Sequence, residues 1–292
     1  MTLETLAAHL GSARGALLAR YGLHDNTGKT LDCLKLVTAG KNEFLGVAHC
    51  LVNGIFHLRL VRSTNLTDWE HVTTLDTHAS QGELKQLPDG SFWLAYEHDE
   101  PNSCFVRLRH YANRAVLEKG KFLREHTLGR TLAPTAEGTP SFENIGKDTV
   151  KLRFHYYRDG DVDRAASGIL SGTGGWSAQP EATLSAAIEA FGVRGNIGGR
   201  CKLTLGKQSF YLQEGQRTKN DWASWSIYLM PTPPTRAVKI PIQTHKGSTS
   251  FANPFACTLP DGRIVVTFFL PSEGNAPEEV GSLLYVLPPP PA

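Results

Sequence analysis

The chain has 292 residues, of which 40% are hydrophobic and 20% are charged, and its formal net charge is +2. This is an ordinary globular composition, and so small a charge gives no general attraction to nucleic acid or to an anionic membrane. No apolar run approaches the roughly 20 residues that a membrane span needs. We therefore expect neither nucleic acid nor a membrane as a partner, and we expect a monomer.

The N-terminal segment predicts a short helix at residues 2–10, "TLETLAAHL". The first 23 residues contain Glu4 and Arg14 and have no continuous apolar stretch, so they do not resemble a signal peptide. The five cysteines are scattered without metal-binding spacing, which favours buried thiols and a reducing compartment. On these grounds we expect a cytoplasmic protein.

Two nearly identical phrases each predict a hairpin: "LPDGSFWLAYE" from Leu87 and "LPDGRIVVTFF" from Leu259. In both, Pro presets the turn and Gly accepts positive φ. Weaker copies turn at three other glycines, so the five turn glycines recur every 50 to 60 residues, at positions 40, 90, 146, 206 and 262. A period of this length with about four strand candidates per unit is typical of a β-propeller.

The sequence therefore predicts an all-β fold, a five-bladed β-propeller with about four antiparallel strands per blade, as a single domain over residues 1–292. The blades are predicted at residues 31–76, 80–130, 137–186, 196–245 and 250–287. The last blade lacks a strand, which residues 15–23 can supply, so that N- and C-terminal strands close it together. A pair of β-sandwiches is the alternative, and the regular glycine spacing argues against it.

Strand direction alternates within a blade, so the starts of the first strands and the ends of the second strands meet at one face. These positions are rich in carboxylates, Arg and His, with aromatic residues nearby. Aromatic rings stack on sugars and carboxylates accept their hydroxyl protons, so the pattern suits a carbohydrate or another small molecule. The predicted substrate-binding residues are Glu83, His98, Asp99, His155, Asp159, Arg200, Asn253 and Trp222.

Four of these residues have open alternatives. His98 and His155 end apolar strands, and a hydrogen-bonded structural histidine is the favoured alternative for each. Arg200 has the fork geometry to bind an anionic ligand, whereas a salt bridge with Glu137 or Glu214 is the structural alternative. Asp159 begins "DGDVD", which spaces acids like the start of a calcium loop, yet Arg164 and Leu170 stand where the loop needs Gly and Glu. We therefore expect a solvated turn there, no metal site and no cofactor, with a structural calcium or sodium ion as an unsupported alternative.

The segment "RSTNLTDWEHVTTL", residues 62–75, resembles a phrase of five-bladed glycosidases of glycoside hydrolase family 43 and related families. That phrase reads Ser-x-(Asp/Asn)-Leu-x-x-Trp-Glu and links the third and fourth strands of a blade. The matching residues here are Ser63, Asn65, Leu66, Trp69 and Glu70. Because a turn and a packed ring explain them equally well, the phrase supports the fold more directly than the chemistry.

The resemblance implies a catalytic set that this chain matches only in part. Asp32 matches the family's general base, whereas Thr139 replaces the third-blade Asp, with Glu137 as the nearest acid. Glycines 198 and 199 stand where the family has its fourth-blade acid, and Glu214 is the nearest replacement. The predicted catalytic residues are therefore Asp32, Glu137 and Glu214.

Two functions remain open at this point. The first is an exo-acting glycoside hydrolase-like enzyme that cleaves a terminal sugar with paired carboxylates. The second is a propeller without hydrolysis, either a lectin-like sugar-binding protein or a lyase or cyclase. The missing fourth-blade acid favours the second, and the acid-rich face with the Trp-Glu phrase favours the first.

Overall fold

The computed structural model describes residues 1–291, and it begins with a helix and a strand. Helix α1 spans Leu3–Leu10, and Thr2 caps it by accepting the Thr5 N–H. Strand β1 spans Leu18–Tyr21. No helix in the described part of the chain is long and apolar enough to cross a membrane.

The other strands follow along the chain in five groups. Blade I contains β2 (Asp32–Gly40), β3 (Glu43–Val52), β4 (Ile55–Ser63) and β5 (Glu70–Thr77). Blade II contains β6 (Ala79–Gln86), β7 (Phe92–Glu100), β8 (Ser103–Tyr111) and, after helix α2 (Arg114–Leu117), β9 (Arg124–Thr127). Blade III contains β10 (Glu137–Ile145), β11 (Thr149–Arg158), β12 (Val162–Ser171) and β13 (Trp176–Pro180), and helix α3 (Ala182–Glu189) follows it. Blade IV contains β14 (Arg200–Leu205), β15 (Gln208–Gln216), β16 (Trp225–Pro231) and β17 (Val238–Lys239), and blade V contains β18 (Ala252–Thr258), β19 (Ile264–Leu270) and β20 (Gly281–Leu287).

Each blade is a four-stranded antiparallel sheet, so the fold is a five-bladed β-propeller, as predicted. In blade V the fourth strand is β1, which pairs with β20 from Leu18 opposite Val286 to Tyr21 opposite Leu283. The N-terminal strand thus completes the sheet that the C-terminal strands begin. Pairing with β1 also removes an exposed edge from β20.

The repeated Pro-Asp-Gly phrase forms the same turn in blades II and V. Gly90 and Gly262 have φ of 84° and 87°, values that favour glycine. Their amides donate to the carbonyls of Leu87 and Leu259, at 3.0 and 2.9 Å. The predicted periodicity therefore reflects one hairpin between the first and second strands of each blade.

The chain divides into two compact units. The middle unit comprises His24–Asp161 and Ala166–Pro180, and the terminal unit comprises Met1–Leu23, Val162–Ala165 and the chain from Glu181 onward. Apolar side chains of blades I and II pack together in the middle unit, and those of blades II and III form a further cluster. In the terminal unit, α1 packs with blades IV and V, and α3 packs on blade IV.

Helix α1 is expected to contribute to stability through its buried face. Leu6 is fully buried in the cluster of the terminal unit, whereas Leu17 is 63% exposed. We expect Leu6→Ala to lower the free energy of unfolding by about 2–5 kcal/mol, because it removes buried methyl groups and leaves a cavity. Urea unfolding measures this change. Leu17→Ala is the matched control, and a cost as large as that of Leu6→Ala would contradict the docking of α1.

Candidate functional site

The first strands of four blades begin with the same irregularity. In blade I the pairing jumps from Asp32 opposite His49 to Lys35 opposite Val47, so one extra residue enters β2. Blades II, III and V show the same jump. Each bulge contains a non-glycine residue in the left-handed region: Cys33, Gln81, Thr139 and Asn253, with φ of 55°, 53°, 48° and 49°. We call these the bulge residues, and such strained backbone persists only where its surroundings hold it.

Three bulge residues donate their backbone N–H to a side chain of the preceding blade. His49 Nδ1 accepts from Gln81 at 3.3 Å, and Glu97 Oε2 accepts from Thr139 at 2.7 Å. Glu214 Oε2 accepts from Asn253. The three acceptors all lie near the ends of second strands, and we call these contacts the interblade hydrogen bonds. The first two align the first-strand starts of blades I, II and III along one edge of the middle unit, whereas the third lies in the terminal unit.

Asp32 lies at this edge, one residue ahead of the bulge. By register Asp32 corresponds to Ser80 and Gly138, whereas Thr139 corresponds to Cys33. Asp32 and Thr139, which the family resemblance matches to catalytic positions, are therefore offset by one residue along their strands. Asp32 is half-buried and accepts a hydrogen bond from the Thr30 hydroxyl at 3.0 Å. Burial raises the pKa of the Asp32 carboxyl, against the opposing effects of Thr30 and His24.

A second cluster lies between blades II and III in the middle unit. Glu97 and Asp99 project from one face of β7, because side chains alternate along a strand. Burial, and then the charge of Glu97 and a hydrogen bond with it, raise the pKa of Asp99 to about 7. Ligand-type atoms of Glu97, Cys104 and His155 lie within 4.8 Å of one another. Asp99 and His155, both predicted to bind substrate, are thus parts of one neighbourhood.

His98, also predicted to bind substrate, projects from the opposite face of β7. Its Nδ1 lies 3.3 Å from the Arg107 guanidinium and 3.8 Å from Asp76 of blade I. Burial, followed by the positive charge of Arg107, lowers the pKa of His98. His98 therefore belongs to an ion-pair network between blades I and II, away from the Glu97 face.

Two predicted acids of the middle unit are committed to structural contacts. Glu83 is buried and lies 3.7 Å from Lys35 Nζ and 3.4 Å from Lys85 Nζ. Glu137 is buried, and its Oε1 accepts the backbone N–H groups of Thr131, Leu132 and Ala133. These three donors hold the Glu137 carboxylate in place. Both side chains therefore stabilise the edge on which Asp32 lies.

Glu214 fills the space beside the two glycines of the terminal unit. A Cβ added at Gly198 would lie 2.4 Å from Glu214 Oε1, and one at Gly199 would lie 3.1 Å from Oε2. Besides accepting from Asn253, the carboxylate accepts the Gly199 N–H. The Glu214 carboxylate therefore occupies the space that a side chain at position 198 or 199 would need. This geometry is consistent with Glu214 standing in for an acid at those positions.

The other predicted residues of the terminal unit differ in exposure. Arg200 is 1% exposed, and its guanidinium donates to Gln213 Oε1 at 3.1 Å and to the Gly198 carbonyl at 2.5 Å. Trp222 lies in a short 3₁₀ helix, Trp222–Ser224, and is 52% exposed. Asp159, in the middle unit, is 88% exposed in the turn between β11 and β12. Trp222 therefore offers an open aromatic face, whereas Arg200 is engaged inside its blade.

The sequence patterns did not single out His49, Glu97 or Cys104. A signal for the acceptors does exist, because His49, Glu97 and Glu214 follow their turn glycines by seven to nine residues. Cys104 has no comparable signal. It joins the cluster because it pairs across the β7–β8 hairpin with Asp99.

Comparison with known proteins identifies the fold. No protein-family model matches the sequence, and no curated protein matches it. Among solved structures, a thermostable family-43 glycoside hydrolase matches with a TM-score of 0.62 and 11% identity over 91% of this chain and 92% of that chain.

Two further matches carry more specific descriptions. The family-43 endo-arabinanase from Bacillus licheniformis has a TM-score of 0.58 and 11% identity over 91% of this chain and 96% of its own. The Cellvibrio cellulosa α-L-arabinanase in complex with arabinohexaose has a TM-score of 0.56 and 10% identity over 88% and 90%. At such identities the likeness shows the fold alone. It confirms the predicted resemblance to family-43 propellers.

The interblade hydrogen bond of His49 is expected to make stability depend on pH. Burial, followed by the charge of Lys35, lowers the pKa of His49 to about 4, against about 6.5 in an unfolded chain. Between these values the unfolded state binds more protons. The contribution is therefore fully present above about pH 6.5 and is lost as pH falls toward about 4, with a slope of at most about 1.4 kcal/mol per pH unit.

Urea unfolding between pH 7.5 and pH 4.5 measures this slope. His49→Gln keeps an acceptor but does not titrate, so we expect it to flatten the decline in unfolding free energy. His9→Gln changes a histidine of α1 that lies outside these bonds, and it should retain the wild-type profile. An unchanged slope in His49→Gln would show that another group causes the decline.

Proposed function

We propose that this protein is a glycoside hydrolase-like enzyme that acts on the end of a carbohydrate chain, with Asp32 as the catalytic carboxylate of the middle unit. The observation that carries the proposal is the environment of Asp32. Burial raises the pKa of its carboxyl group, and Asp32 lies at the edge where the first strands of blades I, II and III begin. The fold supports a carbohydrate, because solved structures with this fold are described as arabinanases, one of them in complex with arabinohexaose.

The proposed role of Asp32 follows from how proton transfer is catalysed. A general base works best when its pKa approaches the working pH, and burial moves Asp32 in that direction. Its hydrogen bond with Thr30 fixes one carboxylate oxygen and leaves the other to take a proton from the water that attacks the anomeric carbon. As the glycosidic bond breaks, the leaving-group oxygen takes its proton from a second water. Asp32 therefore has the environment of a base in glycoside hydrolysis.

Glu137 and Glu214 receive a different role in the proposal. Each carboxylate accepts two or more backbone N–H groups, so backbone already engages its oxygens. We therefore propose that Glu137 positions backbone in the middle unit and that Glu214 does so in the terminal unit. The exposed ring of Trp222 is proposed as a surface of the terminal unit on which a sugar stacks.

A second candidate function is a lectin-like protein that binds sugar without cleaving it. It is favoured because the carboxylates of Glu137 and Glu214 are already hydrogen-bonded to backbone N–H groups. The two candidates share the ligand class but differ in turnover. No contact of the described residues favours a lyase or a cyclase.

The test is a panel of aryl glycosides and linear arabino-oligosaccharides, with released sugar as the readout. We expect hydrolysis that releases one terminal sugar at a time, and we expect Asp32→Asn to lower kcat by about 10²–10⁴-fold, the usual contribution of a general base. Asp89→Asn is the matched control, because Asp89 lies in the exposed hairpin turn at the opposite end of the blade II strands. It should retain full activity.

Calorimetric titration with the same oligosaccharides separates the two candidates. Binding without turnover in the wild type supports the lectin-like protein and overturns hydrolysis. Turnover that survives Asp32→Asn contradicts the role of Asp32 while leaving hydrolysis standing. Neither binding nor turnover with any sugar overturns both candidates.

A further inference from the structure

The cluster between blades II and III has the composition of a metal site, which the proposed function does not use. Glu97, Cys104 and His155 offer a carboxylate oxygen, a thiol sulfur and an imidazole nitrogen, all within 4.8 Å of one another. Cys104 and His155 are each 8% exposed, and Glu97 is half-buried. A thiol, an imidazole and a carboxylate converging in a largely buried space are the donor types that zinc takes in proteins.

The fold brings the three residues together from distant parts of the chain. Glu97 and Cys104 lie on the two strands of the β7–β8 hairpin, and Cys104 stands opposite Asp99 in the ladder. His155 lies on β11, where it pairs with Gly138, the residue before Thr139. The interblade hydrogen bond from Thr139 to Glu97 therefore draws β11 toward β7.

The same hydrogen bond orients the carboxylate. Thr139 donates both its N–H and its hydroxyl to Glu97 Oε2, at 2.7 and 3.2 Å. Both contacts orient the Glu97 carboxylate, one oxygen of which lies within 4.8 Å of the ligand-type atoms of Cys104 and His155. Hydrogen-bonded outer partners of this kind fix ligating carboxylates and are a regular part of metal sites.

A further carboxyl group lies beside the three residues. Asp99 projects from the same face of β7 as Glu97 and stands opposite Cys104 in the ladder, so its carboxyl group lies on the same side of the hairpin as the Cys104 thiol. A carboxylate oxygen is one of the donor types that zinc takes in proteins. Asp99 is thereby the nearest candidate for a fourth ligand.

We propose that Glu97, Cys104 and His155 form a zinc site between blades II and III, with Asp99 or water as the fourth ligand. Ligand atoms around tetrahedral zinc stand roughly 3.3–3.7 Å apart, given metal–ligand lengths of about 2.0–2.3 Å. Since the ligand atoms all lie within 4.8 Å of one another, binding needs a closure of at most about 1.5 Å. The proposal differs from the sequence expectation of no metal, because ligands at positions 97, 104 and 155 have no recognisable spacing.

Cobalt(II) titration of the full-length protein, stripped beforehand with a chelator, tests the site. Cobalt(II) replaces zinc in tetrahedral sites and gives visible bands, and a thiolate ligand adds a charge-transfer band in the near ultraviolet. We expect saturation at one equivalent with both sets of bands, and displacement by one equivalent of zinc. Cys104→Ser should lose the charge-transfer band, and His155→Gln should weaken binding more than about tenfold.

The matched control is Cys257→Ser, which alters a half-buried thiol of blade V and should leave the spectrum unchanged. Thermal unfolding of the wild type gives a second measurement, which does not depend on whether a variant folds. Zinc, but not magnesium, should raise its Tm. No binding by the wild type at micromolar cobalt overturns the site. A charge-transfer band that persists in Cys104→Ser, or that disappears in Cys257→Ser, overturns the assignment of its sulfur ligand. None of these readouts depends on sugar hydrolysis, so the site and the proposed function fail separately.

Discussion

The interblade hydrogen bond is the interaction on which the candidate site depends. A bulge at the start of a first strand leaves one backbone N–H outside the ladder of its own sheet. A buried N–H without an acceptor costs about 1–3 kcal/mol, so the preceding blade must provide a partner. His49, Glu97 and Glu214 provide it in three places, and each bond holds a strained, left-handed residue. These three polar residues near the ends of second strands therefore have a structural role, because they hold the first strand of the next blade.

This requirement changes how the acid-rich edge is interpreted. Carboxylates near the ends of propeller strands are predicted as catalytic from sequence alone. In the structure, however, the carboxylate oxygens of Glu214 and Glu137 accept hydrogen bonds from backbone N–H groups. Asp32 lies one residue ahead of its bulge and accepts a hydroxyl instead. Glu97 holds backbone and also belongs to a polar cluster. One of its oxygens accepts the Thr139 N–H, and the carboxyl group lies beside Asp99, Cys104 and His155. Chemistry and blade assembly are thus linked through the same few side chains.

Much of the fold could be predicted because glycine and proline dictate local backbone geometry. The turns at Gly90 and Gly262 need positive φ, which makes the hairpins visible in the sequence, and their spacing gives the number of blades. The missing strand of blade V predicted the role of residues 15–23, and β1 occupies that place. These features are local, so one sequence contains enough information to find them.

The site could be predicted only in part, because its geometry depends on contacts between blades. Positive φ at Cys33 and Thr139 has no sequence signal, since neither residue is glycine. The opposite directions of His98 and Asp99 follow from alternation along β7, but which face meets which blade is decided by packing. The meeting of Cys104 with His155 depends on a hairpin in one blade and a strand of the next.

Amide hydrogen exchange followed by NMR tests the central claim most directly, because it reports on the three donor amides themselves. If the interblade hydrogen bonds hold the blades together, the amides of Gln81, Thr139 and Asn253 should exchange as slowly as those of the central strands, through global unfolding. Exchange of these amides at the rate of exposed turn residues would contradict the account, since the bulges would then be held by something else.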